Sequence, residues 1–385
     1  MRPIRILTAV PICDGHDSAI NTINLELVRN GIEVVYLGYN RSSKAIVRAA
    51  IQEDVAAIGI STYNGGHIEF FWEVIQELRE LHVEPEMPIF GGGGGTITKE
   101  DAEVMHQYGV DRIFFAGTPL AEMVAYVKRL CGGIVRGPYN VSLAGTDRSL
   151  SRQLTLAQGS VAGSFRRLGH PGVATNTGRT TKTIGLTGPG GAGKTTLIDE
   201  LVYRYLRSCH ATRRVAVLSH DPSAVSSGAL LGDRATMIYS QDDRVFMRSL
   251  ATQGESGGLG PATGACLELI LESGLFDFVL VETVGIGQEA IPFGIDSPLV
   301  ERVVLVMPPD YGSRLQLQKI AMIDVADVIV LNKSDLHGSR TAAAEIESRI
   351  GANPNRGAQT LIRAQANRHG DPGVDQLFNL LLSSL

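Results

Sequence analysis

The stretch Thr183-Ile-Gly-Leu-Thr187-Gly188-Pro189-Gly190-Gly191-Ala192-Gly193-Lys194-Thr195-Thr196, continuing as a helix-period segment to Arg207, decides the fold of its half of the chain. An apolar run, a glycine-rich turn and a helix follow one another without a gap, and the turn fits GxxxxGK[ST]. Glycines let backbone N–H groups of Gly190, Gly191, Ala192, Gly193 and Thr196 turn inward around phosphate oxygens, and the helix start adds positive potential. Lys194 can reach the β- and γ-phosphates, and the Thr195 hydroxyl can ligate magnesium.

Further apolar runs predict a second α/β pattern around this loop: Arg214–Ser219, Val245–Ser249, Phe278–Glu282, Val303–Met307 and Val328–Leu331. The last of them leads into Asn332-Lys333-Ser334-Asp335, where a carboxylate at Asp335 can accept from both N1–H and the 2-amino group of guanine. Adenine has the wrong donor pattern there, so GTP is expected over ATP. Two more strands end in acids. Glu282, followed by Thr283 and Gly285, stands where a DxxG switch would lie, with Glu in place of Asp. Asp221 closes the run Val217–His220, and Asp233 follows in the same loop. A hard cation needs oxygen ligands, so Asp221, Asp233, Glu282 and Thr283 are magnesium candidates beside Thr195; an acid at a strand end can equally cap a helix. Gln288 could orient an attacking water or be a surface residue of the switch loop.

Upstream, residues 4–131 alternate short strand patterns (Ile4–Val10, Glu33–Leu37, Ala56–Ser61, Met87–Phe90, Arg112–Phe115) with helical ones near 18–30, 44–53, 67–82, 99–108 and 119–131. Five βα units predict a parallel, doubly wound sheet of flavodoxin type. Residues 133–181, rich in Gly, Pro, Ser and Thr, read as a linker carrying a helix around Ser149–Leu168. The expected organisation is two doubly wound α/β domains, 1–132 and 182–385, joined by the linker 133–181.

On a flavodoxin-type sheet the ligand crevice lies at the carboxyl ends of the first and third strands. The loops there carry Asp14-Gly-His16 and Ser61-Thr-Tyr63, and the fourth strand runs into Gly91-Gly92-Gly93-Gly94-Gly95, which would let a bulky flat ligand approach bare backbone. A carboxylate on one ring nitrogen of His16 would make the other a better metal ligand. His67 in the neighbouring loop is the rival. A phosphoreceiver domain would want an acceptor Asp where Ser61 stands, and FMN binding would leave the Asp14–His16 pair without a role.

Composition bounds the partners. Over 385 residues, 35 Lys+Arg against 40 Asp+Glu give a net charge of −5, against the clustered positive charge a nucleic-acid binder needs. No apolar run approaches the length of a membrane helix, and no secretory signal is expected, because Arg2 and Arg5 are followed only by Ile6–Ile12 before Asp14. The four cysteines (Cys13, Cys131, Cys209, Cys266) form no CxxC pair. A cytoplasmic protein with neither membrane nor nucleic-acid partner is expected.

The string Asp14-Gly-His16-Asp-Ser-Ala-Ile-Asn21, with Ser61, Tyr63 and the Gly91–Gly95 run, resembles the cobalamin-binding domain of acyl-CoA mutases, although Ala19 stands where the commoner motif has Gly. The resemblance implies His16 as the lower cobalt ligand, Asp14 as its support, and Ser61 with the glycines as the pocket for the displaced nucleotide tail of adenosylcobalamin. The second half is similar to the accessory GTPases of methylmalonyl-CoA and isobutyryl-CoA mutases, through Ser219-His-Asp221-Pro-Ser, Gly228–Arg234, Phe246–Ala251, Glu282–Gln288 and Asn332–Asp335. This implies a catalytic set of Lys194, Glu282 and Gln288, and magnesium at Thr195, Asp221, Asp233, Glu282 and Thr283. Thr236 departs from the basic residue frequent there. The domain order is that of fused isobutyryl-CoA mutase, which implies a (β/α)₈ barrel partner binding the acyl-CoA, an adenosyltransferase as cofactor donor and a homodimer through the GTPase half. A stand-alone cobalamin-responsive GTPase switch is the alternative.

Overall fold

The computed structural model describes residues 4–12, 14–83, 87–132, 145–160, 181–208, 214–224, 227–285, 291–295, 298–311, 321–353 and 359–382. They fall into two compact units, Met1–Ser160 with Asp221–Thr236, and Val161–His220 with Met237–Leu385.

The first unit runs β1 (Ile4–Ala9), α1 (Ser18–Arg29), β2 (Ile32–Tyr36), α2 (Ser43–Gln52), β3 (Ile58–Ser61), α3 (His67–Glu80), β4 (Ile89–Gly92), α4 (Lys99–Tyr108), β5 (Arg112–Phe114), α5 (Leu120–Gly132) and α6 (Asp147–Ser160). The strand order β5-β4-β3-β1-β2, all parallel, is the doubly wound order expected, with its reversal between β1 and β3. β1 and β2 are buried almost throughout, as strands covered on both faces must be. Side-chain caps start two helices: Ser42 accepts from Ala45 N at α2, and Thr98 with Asp101 closes a capping box at α4. The core beneath joins Ile6, Leu27, Val34, Phe90 and Phe114 to Val124, Tyr126 and Val127 of α5.

Within the segment expected to link the domains a helix spans Asp147–Ser160 and packs on α2, where Gln52 donates to Asp147 at 2.8 Å and Arg152 lies 3.4 Å from Asp54. Residues 161–168 of the helix expected around Ser149–Leu168 lie outside the described residues. The sheet also has a sixth strand, β8 (Ala229–Leu231), which pairs in parallel with β2 although it lies far along the chain. A four-residue helix, α8 (Asp233–Thr236), follows it.

The second unit contains β6 (Lys182–Thr187), α7 (Lys194–Arg207), β7 (Arg214–Asp221), β9 (Val245–Ala251), α9 (Thr263–Ser273), β10 (Phe276–Glu282), β11 (Arg302–Met307), β12 (Val328–Leu331), α10 (Ser339–Ala352), β13 (Thr360–Arg363) and α11 (Pro372–Leu382). Its strand order is β13-β12-β11-β6-β10-β7-β9, with parallel pairing from β13 through β7. The strand carrying the glycine-rich loop is therefore central. Leu197, Leu201 and Tyr205 of α7 bury one face against Ile184, Val217 and Leu280. Among the described residues no helix is long and apolar enough to cross a membrane.

Candidate functional sites

In the first unit the loop after β1 brings Asp14 and His16 together. Asp14 is 2% exposed, and its Oδ1 lies 2.8 Å from His16 Nδ1 while also accepting from His16 N at 3.0 Å. Its Oδ2 accepts from the backbone of the loop after β3, from Tyr63 N at 2.6 Å and Asn64 N at 3.2 Å. Burial pushes the Asp14 carboxyl up, but the hydrogen bonds from Tyr63, His16 and Asn64 outweigh it and hold the pKa below the ordinary value. A carboxylate here is an acceptor only, so in the neutral ring Nδ1 of His16 carries the proton and Nε2 the lone pair. The His16 side chain is 57% exposed, and the Tyr63 ring lies 4.6 Å from it, centroid to centroid. The rival His67 is turned elsewhere, with Nε2 at 3.2 Å from Asp101 and its side chain 11% exposed.

Beside this pair a cavity of about 170 Å³ opens among α1, α5 and the ends of β1, β3 and β4. Ala19, Ile23, Ser61, Gly91–Gly94 and Met123 are among its walls, whereas Gly95 is not. The glycines are bare for a reason besides ligand approach. A Cβ at Gly91 would lie 2.5 Å from Ile60 O and from the Phe71 ring, and one at Gly93 would lie 2.5 Å from Thr62 O. Close packing within the sheet thus requires the glycines, and the smooth apolar wall follows from it. Gly59, on β3, lines the same cavity and was not singled out by its sequence context.

In the second unit α7 begins at Lys194, directly after the glycine loop. The Lys194 ammonium curls back over that loop, donating to Gly188 O at 3.1 Å and Pro189 O at 3.2 Å. Thr195 Oγ1 donates to Glu282 Oε1 at 2.7 Å, so the hydroxyl and the strand-end acid meet as the motifs imply. Asn332 braces the loop from the far side: its amide donates to Ala192 O at 2.9 Å and its carbonyl accepts from Ala366 N at 3.0 Å. Lys333 and Asp335 are exposed beyond it, as is Thr196 at the loop's end.

Thr283 is placed differently from a simple ligand role. Its hydroxyl, buried, donates to Thr187 Oγ1 at 3.1 Å. Asp221 and Asp233 stand at or near the two ends of the segment grouped with the first unit, so the five magnesium candidates divide between the units. Among the described residues no cluster of three His, Cys, Asp or Glu side chains is placed to hold a metal. Gln288 lies outside the described residues.

His220, whose carbonyl the family resemblance offers as a further magnesium contact, has a side-chain role that its sequence context does not give. His220 is 2% exposed, its Nδ1 2.7 Å from Glu282 O and its Nε2 2.7 Å from Thr263 Oγ1. Burial pushes its pKa down to about 4, against the opposing bond to Glu282. A neutral ring donates through Nδ1 to the Glu282 carbonyl, clamping the backbone of the acid that meets Thr195. The only sequence signal is a histidine inside an apolar strand next to an acid.

Residues 150–381 match the methylmalonyl-CoA mutase-associated GTPase MeaB family, and residues 4–124 match the B12 binding domain. The chain is 36% identical over 397 residues to the fused isobutyryl-CoA mutase of Cupriavidus metallidurans, and 34% identical over 408 residues to that of Geobacillus kaustophilus. Each alignment covers 99% of this chain but 36% of the relative, so the chain spans about a third of the length of these proteins. A putative GTPase of Pyrococcus horikoshii is 40% identical over 158 residues, 40% of this chain and 48% of its own. With a B12 binding domain ahead of a phosphate loop whose threonine meets the strand-end glutamate, the chain belongs to the MeaB family of mutase-associated GTPases.

Proposed function

We propose that this chain is the adenosylcobalamin-carrying, GTP-hydrolysing chaperone part of an acyl-CoA mutase of isobutyryl-CoA or methylmalonyl-CoA type. In this reading GTP turnover gates loading and protection of the cofactor. The carrying observation is the Asp14–His16 pair beside an apolar, glycine-walled cavity in a chain that also holds the GTPase loop. Bound adenosylcobalamin supplies a cobalt–carbon bond that can break to radicals. Asp14 fixes the His16 tautomer and leaves Nε2 to take cobalt, while the cavity receives the nucleotide tail and excludes water. Lys194 neutralises phosphate charge, Asn332 holds the loop, and Asp335 reads guanine. Thr195 and Glu282 offer oxygen donors of the kind magnesium prefers. Gln288 orients the attacking water. The acyl-CoA and the radical chemistry belong to a barrel domain or subunit, an adenosyltransferase delivers the cofactor, and the GTPase half pairs as a homodimer.

Two measurements test this. Calorimetry with magnesium present is expected to give GTP at least about 100-fold tighter than ATP, because the Asp335 carboxylate would face the N1 lone pair of adenine in place of the two donors of guanine. Asp335→Asn should erase most of that ratio with the fold intact, since the residue is exposed. Equal affinities in the unaltered protein would sink the GTP assignment. For the mutase role, the cofactor-loaded chain used as bait in a lysate of its source cells should retain a barrel polypeptide that turns over an acyl-CoA. Recovery of a different partner and no barrel would favour a stand-alone switch.

A further inference from the structure

Within the first unit, the loop that presents Asp14 and His16 begins on a pair of backbone bonds to the loop after β2. Val10 N donates to Gly38 O at 3.0 Å, and Arg41 N donates to Val10 O at 3.1 Å. Pro11 forms an isolated parallel bridge with Arg41. Asp14 N then donates to Pro11 O at 3.2 Å, so the turn that ends in the Asp14 carboxylate starts from the rung that Arg41 closes. The bonds from Tyr63 N and Asn64 N hold the carboxylate of Asp14, whereas this rung holds the backbone that leads to it.

The Arg41 side chain is 9% exposed and ties that rung to two further places. Its Nε donates to Leu37 O at 2.6 Å, and its Nη2 donates to Ala235 O, in α8, also at 2.6 Å. Gly38, in the left-handed region at φ +79°, lets the loop close around the guanidinium: a Cβ there would lie 3.4 Å from Ala235 Cβ and 3.8 Å from Arg41 Nη2. Burial pushes the Arg41 pKa down, and the Arg234 charge adds to that push against the opposing effect of Tyr36 and Tyr39. Charge-assisted bonds to fixed carbonyls are what keep such a cation in place. The Ala235 carbonyl is itself fixed, because β8 pairs with β2 and because Arg234, 3% exposed, lies with Nε 3.2 Å from Glu53 Oε1 and Nη2 3.2 Å from Gln52 Oε1.

We infer that Arg41 is a positioning residue for cobalt ligation: braced on Ala235 and Leu37, it sets the Val10–Pro11 rung, and with it the backbone of Asp14 and the aim of the His16 ring. The inference rests on the proposed assignment of His16 to cobalt. It makes β8 and α8, which lie far along the chain, part of the support of the cofactor loop within the same compact unit. The guanidinium fork is the chemistry the place requires, since two carbonyls in different directions must be reached by one rigid group.

The test uses the full chain with Arg41→Met, Arg41→Lys, Arg234→Met and, for reference, His16→Ala. Adenosylcobalamin is titrated by its visible spectrum, histidine coupling is read by electron paramagnetic resonance of the Co(II) form, and hydrogen exchange of the loop around Asp14 is followed without cofactor. Binding of a GTP analogue and a thermal melt report the fold of each variant. Arg41→Met is expected to lower cobalamin affinity about 10–100-fold, the range found when supports of metal ligands are removed, and to leave only part of the cobalt histidine-ligated. Exchange around Asp14 should quicken with it. Arg41→Lys should recover part of the loss, and Arg234→Met, which frees α8 without touching Arg41, should move the same readouts in the same direction. A role confined to stability would shift the melt and leave the coupling whole. If His16→Ala loses the coupling while folded Arg41→Met and Arg234→Met keep it in full, with affinity within about twofold, the positioning role is wrong. Loss in Arg41→Met with none in Arg234→Met would remove α8 from the support. If His16→Ala changes neither coupling nor affinity, the cobalt assignment fails first and the positioning role goes with it.

Discussion

Lys194→Met is expected to lower GTP turnover at saturating nucleotide by about 10³-fold or more, the loss seen when a preorganised charge is removed from a site of developing negative charge. The lysine is 6% exposed and its ammonium is already held over the loop by Gly188 O and Pro189 O. Little reorganisation is therefore needed when phosphate oxygens arrive, and preorganisation is what makes such a charge effective. Methionine keeps the length of the stem, so the first turn of α7 should persist. The two carbonyls lose a donor, at a cost of about 1–3 kcal/mol if they remain dry, which a melt would register separately. Phosphate release during multiple turnovers gives the answer, and hydrolysis at the original rate would place the reaction elsewhere.

His16→Ala should abolish histidine ligation of cobalt and most cobalamin affinity. Nε2 of His16 is the nitrogen left available by the Asp14 bond, and the competing imidazole of His67 lies against Asp101. Electron paramagnetic resonance of the Co(II) form, with nitrogen-15 imidazole label, should lose its histidine coupling in the variant. A coupling that survives would overturn the assignment. Asp14→Asn should weaken affinity by about 10–100-fold rather than abolish it, because the ring remains but its tautomer is no longer imposed. The same change removes a charged acceptor from Tyr63 N and Asn64 N, so the loop after β3 should loosen with it.

Much of this was legible in the amino-acid order, and the exceptions share a cause. Apolar runs bounded by turn residues announced β1–β7, and amphipathic periods announced α1–α5, to within a few residues. β8 is three residues, Ala-Leu-Leu, in a loop of Gly, Ser and Asp, and only the vacant edge of β2 makes it a strand. β13 has one buried side chain in four, too little pattern to be read. Local motifs located Asp14 with His16 because the partners are two residues apart. Thr195 with Glu282 required two motifs to be read together across the chain. The Asn332 brace on Ala192 and the His220 clamp on Glu282 join residues far apart in sequence, and no spacing rule reaches them. Thr283 shows the converse: its place in the motif suggested a cation, while the residue, just past the end of β10, turns its hydroxyl inward to Thr187.

The sixth strand of the first sheet has a bearing on solubility. A parallel sheet that ended at β2 would present the backbone N–H and C=O groups of Ile32–Tyr36 along an open border, and a row of unpaired strand groups is a template for another chain. β2 has none of the usual protections: it carries no proline, and its one charged residue, Glu33, is buried in an ion pair rather than turned outward. β8 closes that border from within the same polypeptide. A cobalamin-binding fragment cut free at Ser160 would keep all five of its own strands and yet be the form prone to self-association, since its safeguard against stacking edge to edge is encoded some seventy residues further on, in the GTPase half.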